Sequence, residues 1–255
     1  PNLRELAPFV AYDLIGAPSF NGNPNLQLTN ITNLDLRYEY FFKPGEVIAL
    51  SVYAKEFKNP IIRSYNPLSG STTGEIIFTN VDKAQVAGLE IDFRKRLGFI
   101  SPALENLKFN TNFSLIYSRV DIDSLELNAI QQVNPDFGDY RPFQGQSPYL
   151  INVGLSWDFP KPRLETALSL NYFADRLSEN SQAGTPDIYE TGRAMLNFTA
   201  SKTFGKKNEI VLKVGVNNML NASFKRYISY RDFDYTVSDF QIGQTFNLSV
   251  TYKIK

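Results

Sequence analysis

Apolar and polar residues alternate with a period of two along most of this chain, over runs longer than a soluble strand requires. Between Ile31 and Phe42, Leu34, Leu36, Tyr38, Tyr40 and Phe42 fall on one face, and Asn33, Asp35, Arg37 and Glu39 on the other. A helix would space its apolar residues three and four apart, so the segment reads as a strand. The same alternation recurs over Ile48–Lys55, Ala87–Arg94, Leu107–Tyr117, Tyr149–Phe159, Leu164–Tyr172, Ala194–Ser201, Ile210–Asn217 and Phe246–Ile254. That predicts about nine strands, many near ten residues long. Strands in soluble domains cluster near five or six residues, whereas a strand tilted across a bilayer needs roughly 9–11.

The connections between these strands alternate in length. Tight turns rich in Gly, Pro, Lys and Asn fall at Lys43–Glu46, Pro160–Arg163 and Gly205–Asn208, with a slightly longer link at Gly98–Asn106. Between them lie long polar connections, near Asn59–Gly74, Asp121–Gln146, Ser178–Thr191 and Asn218–Gln241. In an up-and-down meander alternate connections share one end of the sheet. All short turns therefore gather at one end and all long loops at the other, the asymmetry of outer-membrane barrels. Aromatic residues agree. Phe41, Phe42, Phe93, Phe99, Trp157, Phe159 and Phe204 lie near the short-turn end, and Tyr117, Tyr149 and Tyr172 towards the long-loop end. Two belts of amphipathic rings suit two bilayer interfaces.

Composition narrows the function classes. The 255 residues carry 26 basic and 26 acidic side chains, with no Cys and no His. A balanced charge gives no reason to expect a nucleic-acid partner. Without Cys or His there are no thiolate or imidazole metal ligands and no Ser–His or Cys–His catalytic pair. No phosphate-binding Gly loop of the required spacing is present, and no enzyme activity or cofactor is expected. Apolar runs are far too short for a membrane-spanning helix. With Pro1 in first place and no signal peptide, the chain reads as processed or as a piece of something longer.

Within hydrocarbon, backbone polar groups must be paired inside the protein, and sheets manage this only by closing. The expected fold is therefore all-β, a transmembrane antiparallel up-and-down β-barrel. Its apolar face meets lipid, and its polar face, with Glu90, Asp92, Arg94, Lys108 and Lys213, lines the lumen. Nine strands are an odd number, and single-chain bacterial barrels use even ones. The chain is thus expected to supply about nine to ten C-terminal strands of a larger barrel. A short strand pair around Arg226–Tyr235, rising above the membrane, is the alternative reading of the count. Residues 1–30 are expected to form an extracellular loop segment and 31–255 the barrel strands. Long loops would face outside the cell, and the last strand would end in the periplasm at Lys255.

Several stretches resemble the C-terminal barrel half of TonB-dependent outer-membrane receptors, in particular those common in the Bacteroidetes. They are Arg4–Phe9, Gly22–Leu26, Ile31–Glu39, Asn80–Ala84 with Gly88–Ile91, Gly145–Asn152 and Val216–Asn221. Their order and spacing together carry the resemblance. It implies a barrel of about 22 strands around an N-terminal plug and active uptake of a siderophore, vitamin, glycan or peptide. It further implies outer-membrane lipid, the plug and remaining strands, and the TonB energy-transducing complex as partners. A surface lipoprotein lid is compatible with it. Neither a plug nor a TonB-contacting segment is evident in this chain. The rival reading is a non-transporting structural or adhesive outer-membrane barrel subunit in a surface complex. A third is a secreted, glycan-binding β-sandwich. One departure from the pattern is the end, Tyr252-Lys253-Ile254-Lys255, where such barrels tend to finish on an aromatic residue.

Candidate ligand-facing residues lie in the long loops: Tyr140 and Arg141 in one, and Tyr227, Tyr230, Arg231, Phe233 and Tyr235 in another. Tyrosine and arginine stack on sugars or bind anionic chelates, and the same residues could instead order a loop against its neighbours. Glu90, Asp92 and Arg94 could face a plug or form salt bridges along the lumen wall. The acidic loop with Asp121, Asp123, Glu126, Asp136 and Asp139 lacks EF-hand spacing and reads as a solvated loop, not a metal site.

Overall fold

The computed structural model describes residues 1–12, 18–70, 73–182, 184–205, 207–231 and 233–254. The turn residue Lys206 and the terminal Lys255 lie outside them. A short helix α1 (Leu3–Leu6) precedes β1 (Val10–Ala11) and β2 (Ser19–Asn21). The long hairpin β3 (Asn30–Lys43) and β4 (Glu46–Lys58) follows. A small hairpin, β5 (Ile61–Asn66) and β6 (Glu75–Asn80), leads to β7 (Lys83–Arg96) and β8 (Leu107–Asp121). After helix α2 (Ser124–Val133) and β9 (Tyr140–Arg141) come β10 (Tyr149–Phe159) and β11 (Leu164–Phe173). The chain continues through β12 (Arg176–Ser181), β13 (Ile188–Glu190), β14 (Arg193–Phe204) and β15 (Ile210–Asn217). It ends with β16 (Ser223–Tyr230), β17 (Phe233–Gln241) and β18 (Thr245–Tyr252).

These strands form two sheets. The larger has a wall in the order β18-β15-β14-β11-β10-β8-β7-β4-β3, with β9 attached to β8. Its nine wall strands are the nine alternating segments of the sequence, each antiparallel to its chain neighbour. The register puts apolar side chains opposite apolar ones. Leu36, Val52 and Leu89 lie in one row, and Phe109, Leu155 and Leu168 in another. The tight turns fall where the sequence places them. Pro44 and Gly45 join β3 to β4, and Gly45 takes φ 80, a conformation that suits glycine.

Among the described residues no other layer covers the apolar face of this wall. Leu34, Leu36, Tyr38, Leu248 and Val250 are among many large apolar side chains left more than half exposed. Aromatic rings cluster at both ends of it. Tyr40, Phe42, Phe93 and Phe109 are linked ring to ring at the short-turn end, and Lys95 lies 3.8 Å from the Phe42 ring centroid. Tyr149 and Tyr172 stack at the other end. The polar face is knitted by side chains. Asn171 Nδ2 donates to Asn152 Oδ1 (2.6 Å), Asn152 to Asn112 (3.4 Å) and Asn112 to Asp92 Oδ1 (2.7 Å). Arg37 approaches from the other side, donating to Asp92 Oδ2 (3.0 Å), Ser51 Oγ and Glu39. Lys108 pairs with Asp158 at 2.7 Å.

The long connections are more ordered than their polar composition suggests. Their strands build a second sheet in the order β1-β2-β6-β5-β12-β13-β16-β17. Residues 1–30, expected to be loop, contribute β1 and β2, and β2 pairs with β6 in parallel. The Arg226–Tyr235 region forms the β16–β17 hairpin of this sheet and adds no strand to the wall. Between the two sheets, Ile62, Ala84 and Val120 pack with Phe57, Val81 and Phe143. The loops are thus anchored onto the polar side of the wall near its long-loop end.

If the exposed apolar face meets hydrocarbon, charge there is costly. Leu168→Arg is expected to lower folding stability in lipid vesicles by about 2–4 kcal/mol. Ser169→Arg, on the opposite face, is expected to change it far less. Denaturant titration of intrinsic fluorescence in vesicles separates the two.

Candidate functional site

Three connections far apart in sequence converge on one cavity of about 730 Å³ in the loop region. Its walls come from the end of α2 and the residues after it, from 184–187, and from β13 and the β16–β17 hairpin. The volume lies within the roughly 300–1,000 Å³ usual for small-molecule sites.

The base of the cavity is an ion-pair hub. Arg141 is 4% exposed. Its Nε donates to Asp187 Oδ2 (2.7 Å), Nη1 to Glu126 Oε1 (2.7 Å) and Nη2 to the carbonyl of Ser181 (3.2 Å). Asp187 also accepts the backbone N–H of Ser181 at 2.8 Å. Burial pushes the Asp187 carboxyl above the ordinary range, and Arg141 pulls against that shift. One guanidinium therefore ties α2, β9, β12 and Asp187 together. The helix it holds is well begun: Asp123 Oδ1 accepts from Leu125 N, and Glu126 sits in the first turn near the positive end of the helix dipole.

The side of the cavity is aromatic. Tyr189 and Tyr227 are cross-strand partners on β13 and β16, and their rings stack at 6.0 Å with an interplanar angle of 28°. The Tyr227 hydroxyl donates to Asp175 Oδ2 at 2.8 Å. Burial, then this bond and the Asp175 charge, push its pKa well up. Burial likewise raises Tyr189. Both phenols stay protonated at neutral pH. Ser229 donates to Asp234, its partner across the hairpin. Asp136 and Arg231 complete the charged lining.

Of the candidates expected from sequence, Arg141, Tyr227, Tyr230 and Arg231 line this cavity. Tyr140, Phe233 and Tyr235 do not. Tyr140 packs under the Arg119 guanidinium (4.8 Å), and Phe233 and Tyr235 are exposed, 66% and 52%. Tyr189 and Asp187 lie outside the sequence candidates. Tyr189 and Asp187 sit in the long polar connection Ser178–Thr191, which has no periodicity, and Asp136 belongs to the acidic loop. Most acids of that loop are occupied: Asp121 and Asp139 bind Arg119, Glu126 binds Arg141, and Asp123 caps α2. Among the described residues no three Asp, Glu, His or Cys side chains are grouped to hold a metal ion.

Glu90, Asp92 and Arg94 lie on the polar face of the wall. Glu90 borders a second cavity of about 610 Å³ with Arg37, Tyr53 and Lys55, capped by Phe143–Gln146. Asp92 is the acceptor on which the asparagine row ends. Arg94 stands opposite Val47 and Asn110, nearer the short-turn end. On the other face of the loop sheet from the stacked tyrosines, Glu190 is held by Arg176 and Arg193 and is 5% exposed.

A family model described as outer membrane protein beta-barrel family matches residues 1–252. No curated protein matches the chain. Among solved structures, a variant of the ferric enterobactin receptor PfeA from Pseudomonas aeruginosa is similar, with a TM-score of 0.59 at 18% identity. That match covers 99% of this chain and 36% of the receptor. The siderophore receptor PirA from the same organism gives a TM-score of 0.57 at 20% identity, covering 99% and 37%. The copper transporter OprC gives 0.62 at 16% identity, covering 91% and 33%. The chain thus spans about a third of the length of these structures, and the likeness is one of fold.

Removing the hub cation leaves two carboxylates unpaired beside the cavity. Arg141→Ala is expected to destabilise this region by about 3–5 kcal/mol. Hydrogen exchange should show α2 and residues 184–187 losing protection while the wall strands keep theirs.

Proposed function

The chain belongs to the outer membrane protein beta-barrel family, and on that footing we propose that it forms the C-terminal barrel portion of a TonB-dependent outer-membrane transporter for nutrient uptake, of the kind common in the Bacteroidetes. The observation that carries this reading is a nine-strand antiparallel wall with one uncovered apolar face and one hydrogen-bonded polar face. A membrane enclosing a wet lumen explains both faces at once. The edge strands β3 and β18 are exposed at every position and have no outer partner among the described residues. Those edges suit further barrel strands on either side. The neighbouring structures, a ferric enterobactin receptor, a siderophore receptor and a copper transporter, support a transporter over a passive scaffold.

In this reading residues 31–255 are barrel strands and 1–30 belong to the extracellular loops. The loop sheet faces outside the cell, and the short turns and the C-terminus face the periplasm. The partners are lipid, the plug with the remaining strands, and the TonB complex, with a surface lipoprotein as a further candidate. Glu90, Asp92 and Arg94 face the plug.

The absence of cysteine makes the orientation testable. A cysteine at Phe233 is expected to react with a membrane-impermeant maleimide on intact cells. One at Gly45 should react only after permeabilisation, and the reverse pattern would refute the topology. Transport itself is read from growth. A strain lacking the gene should fail on one nutrient among iron chelates, corrinoids, oligosaccharides and peptides. The intact gene should restore growth only where TonB is present. Normal growth on every one would favour the non-transporting barrel.

A further inference from the structure

The charge around the cavity limits what can enter it. Arg141 is the most buried cation there, and it is consumed by Asp187 and Glu126 at 2.7 Å each. Among the described lining residues, what remains for a ligand is one cation, Arg231, against two carboxylates, Asp136 and Asp234. A multiply charged anionic chelate would enter a site with no cationic excess and lose its hydration without compensation. Carboxylates outnumber cations around the cavity, so charge alone leaves cationic and neutral ligands open. The uncharged part of the lining is distinctive. Tyr189 and Tyr227 present a stacked pair of rings, with Ser229 and the carboxylates supplying donors and acceptors beside them. Flat rings flanked by small polar groups match the alternating C–H faces and hydroxyl edges of a pyranose.

We propose that this cavity binds a neutral, hydroxyl-rich ligand, a segment of an uncharged oligosaccharide, stacked on the Tyr189–Tyr227 pair and hydrogen-bonded by Asp136, Asp234 and Arg231. The inference rests on the transporter reading for its biological setting, since it names the substrate class of that uptake. Its physical basis, the cavity lining, is independent of that reading. Tyr227 is held in place by Asp175, so the aromatic platform is set before a ligand arrives.

The test uses the full-length receptor, purified in detergent and presented to an array of neutral oligosaccharides of several linkages, with a ferric triscatecholate as the anionic probe. Hits are measured by isothermal titration. At least one neutral oligosaccharide is expected to bind, and the triscatecholate is not. Tyr227→Ala should weaken the hit at least tenfold, and Tyr227→Phe should keep most of it, because the ring and not the hydroxyl faces the sugar. Retained heat-modifiable migration on gels shows that each variant is folded. Asp136→Asn with Asp234→Asn removes only rim carboxylates and serves as a second variant, expected to weaken binding at least fivefold. Tight binding of the triscatecholate to the wild-type cavity, or no oligosaccharide bound anywhere on the array, overturns the proposal. Sugar binding without any growth phenotype would instead sink the transporter reading and leave the site standing.

Discussion

Backbone hydrogen bonding in a medium without water is the constraint on which the rest of the molecule depends. Each wall strand from β4 to β15 has a partner on both sides, and the ladder runs through eight antiparallel pairings without an internal gap. With the backbone satisfied in the plane of the sheet, side chains are free to divide by solvent. The outer row can be as apolar as lipid, and the inner row can carry Arg37, Asp92 and three asparagines in hydrogen-bond contact. A soluble sandwich built from the same strands would need a second sheet against Leu34, Leu36, Leu248 and Val250. Those residues have no cover among the described residues.

The wall was legible in the sequence because its physics is local. A period of two is written into consecutive residues, and turns such as Pro44–Gly45 announce themselves by the backbone angles they need. The loop sheet was much less legible. Its strands are short, as in Arg176–Ser181 and Ile188–Glu190, and their burial does not alternate cleanly. Two of its pairings are parallel and join segments remote in the chain, such as Asn180 with Ser64. Helix α2 buries a single residue, Ile130, and so leaves little apolar periodicity to read.

The candidate site shows the same division. Residue type pointed to Arg141, Tyr227 and Arg231, and the fold does bring them around one cavity. What residue type could not reveal is the use each side chain is put to. Arg141 meets its partner Asp187 only through a contact 46 positions away in sequence, and that contact turns a candidate ligand-binding cation into the strut beneath the cavity. Tyr189 became visible only once β13 was paired with β16. The loops around the cavity are thereby joined by the same ion pairs that neutralise its most buried cation.

The asparagine row has a consequence of its own. Every amide in it points its NH₂ group the same way, from Asn171 through Asn152 and Asn112 to the Asp92 carboxylate. Turning over a single amide would set oxygen against oxygen on one side and nitrogen against nitrogen on the other. The polarity of Asn171 is therefore dictated from β7, three strands away, by one negative charge. Neutralising Asp92 would release the whole series to reverse direction, so the inner surface behaves as a single oriented wire whose sense is set at one end.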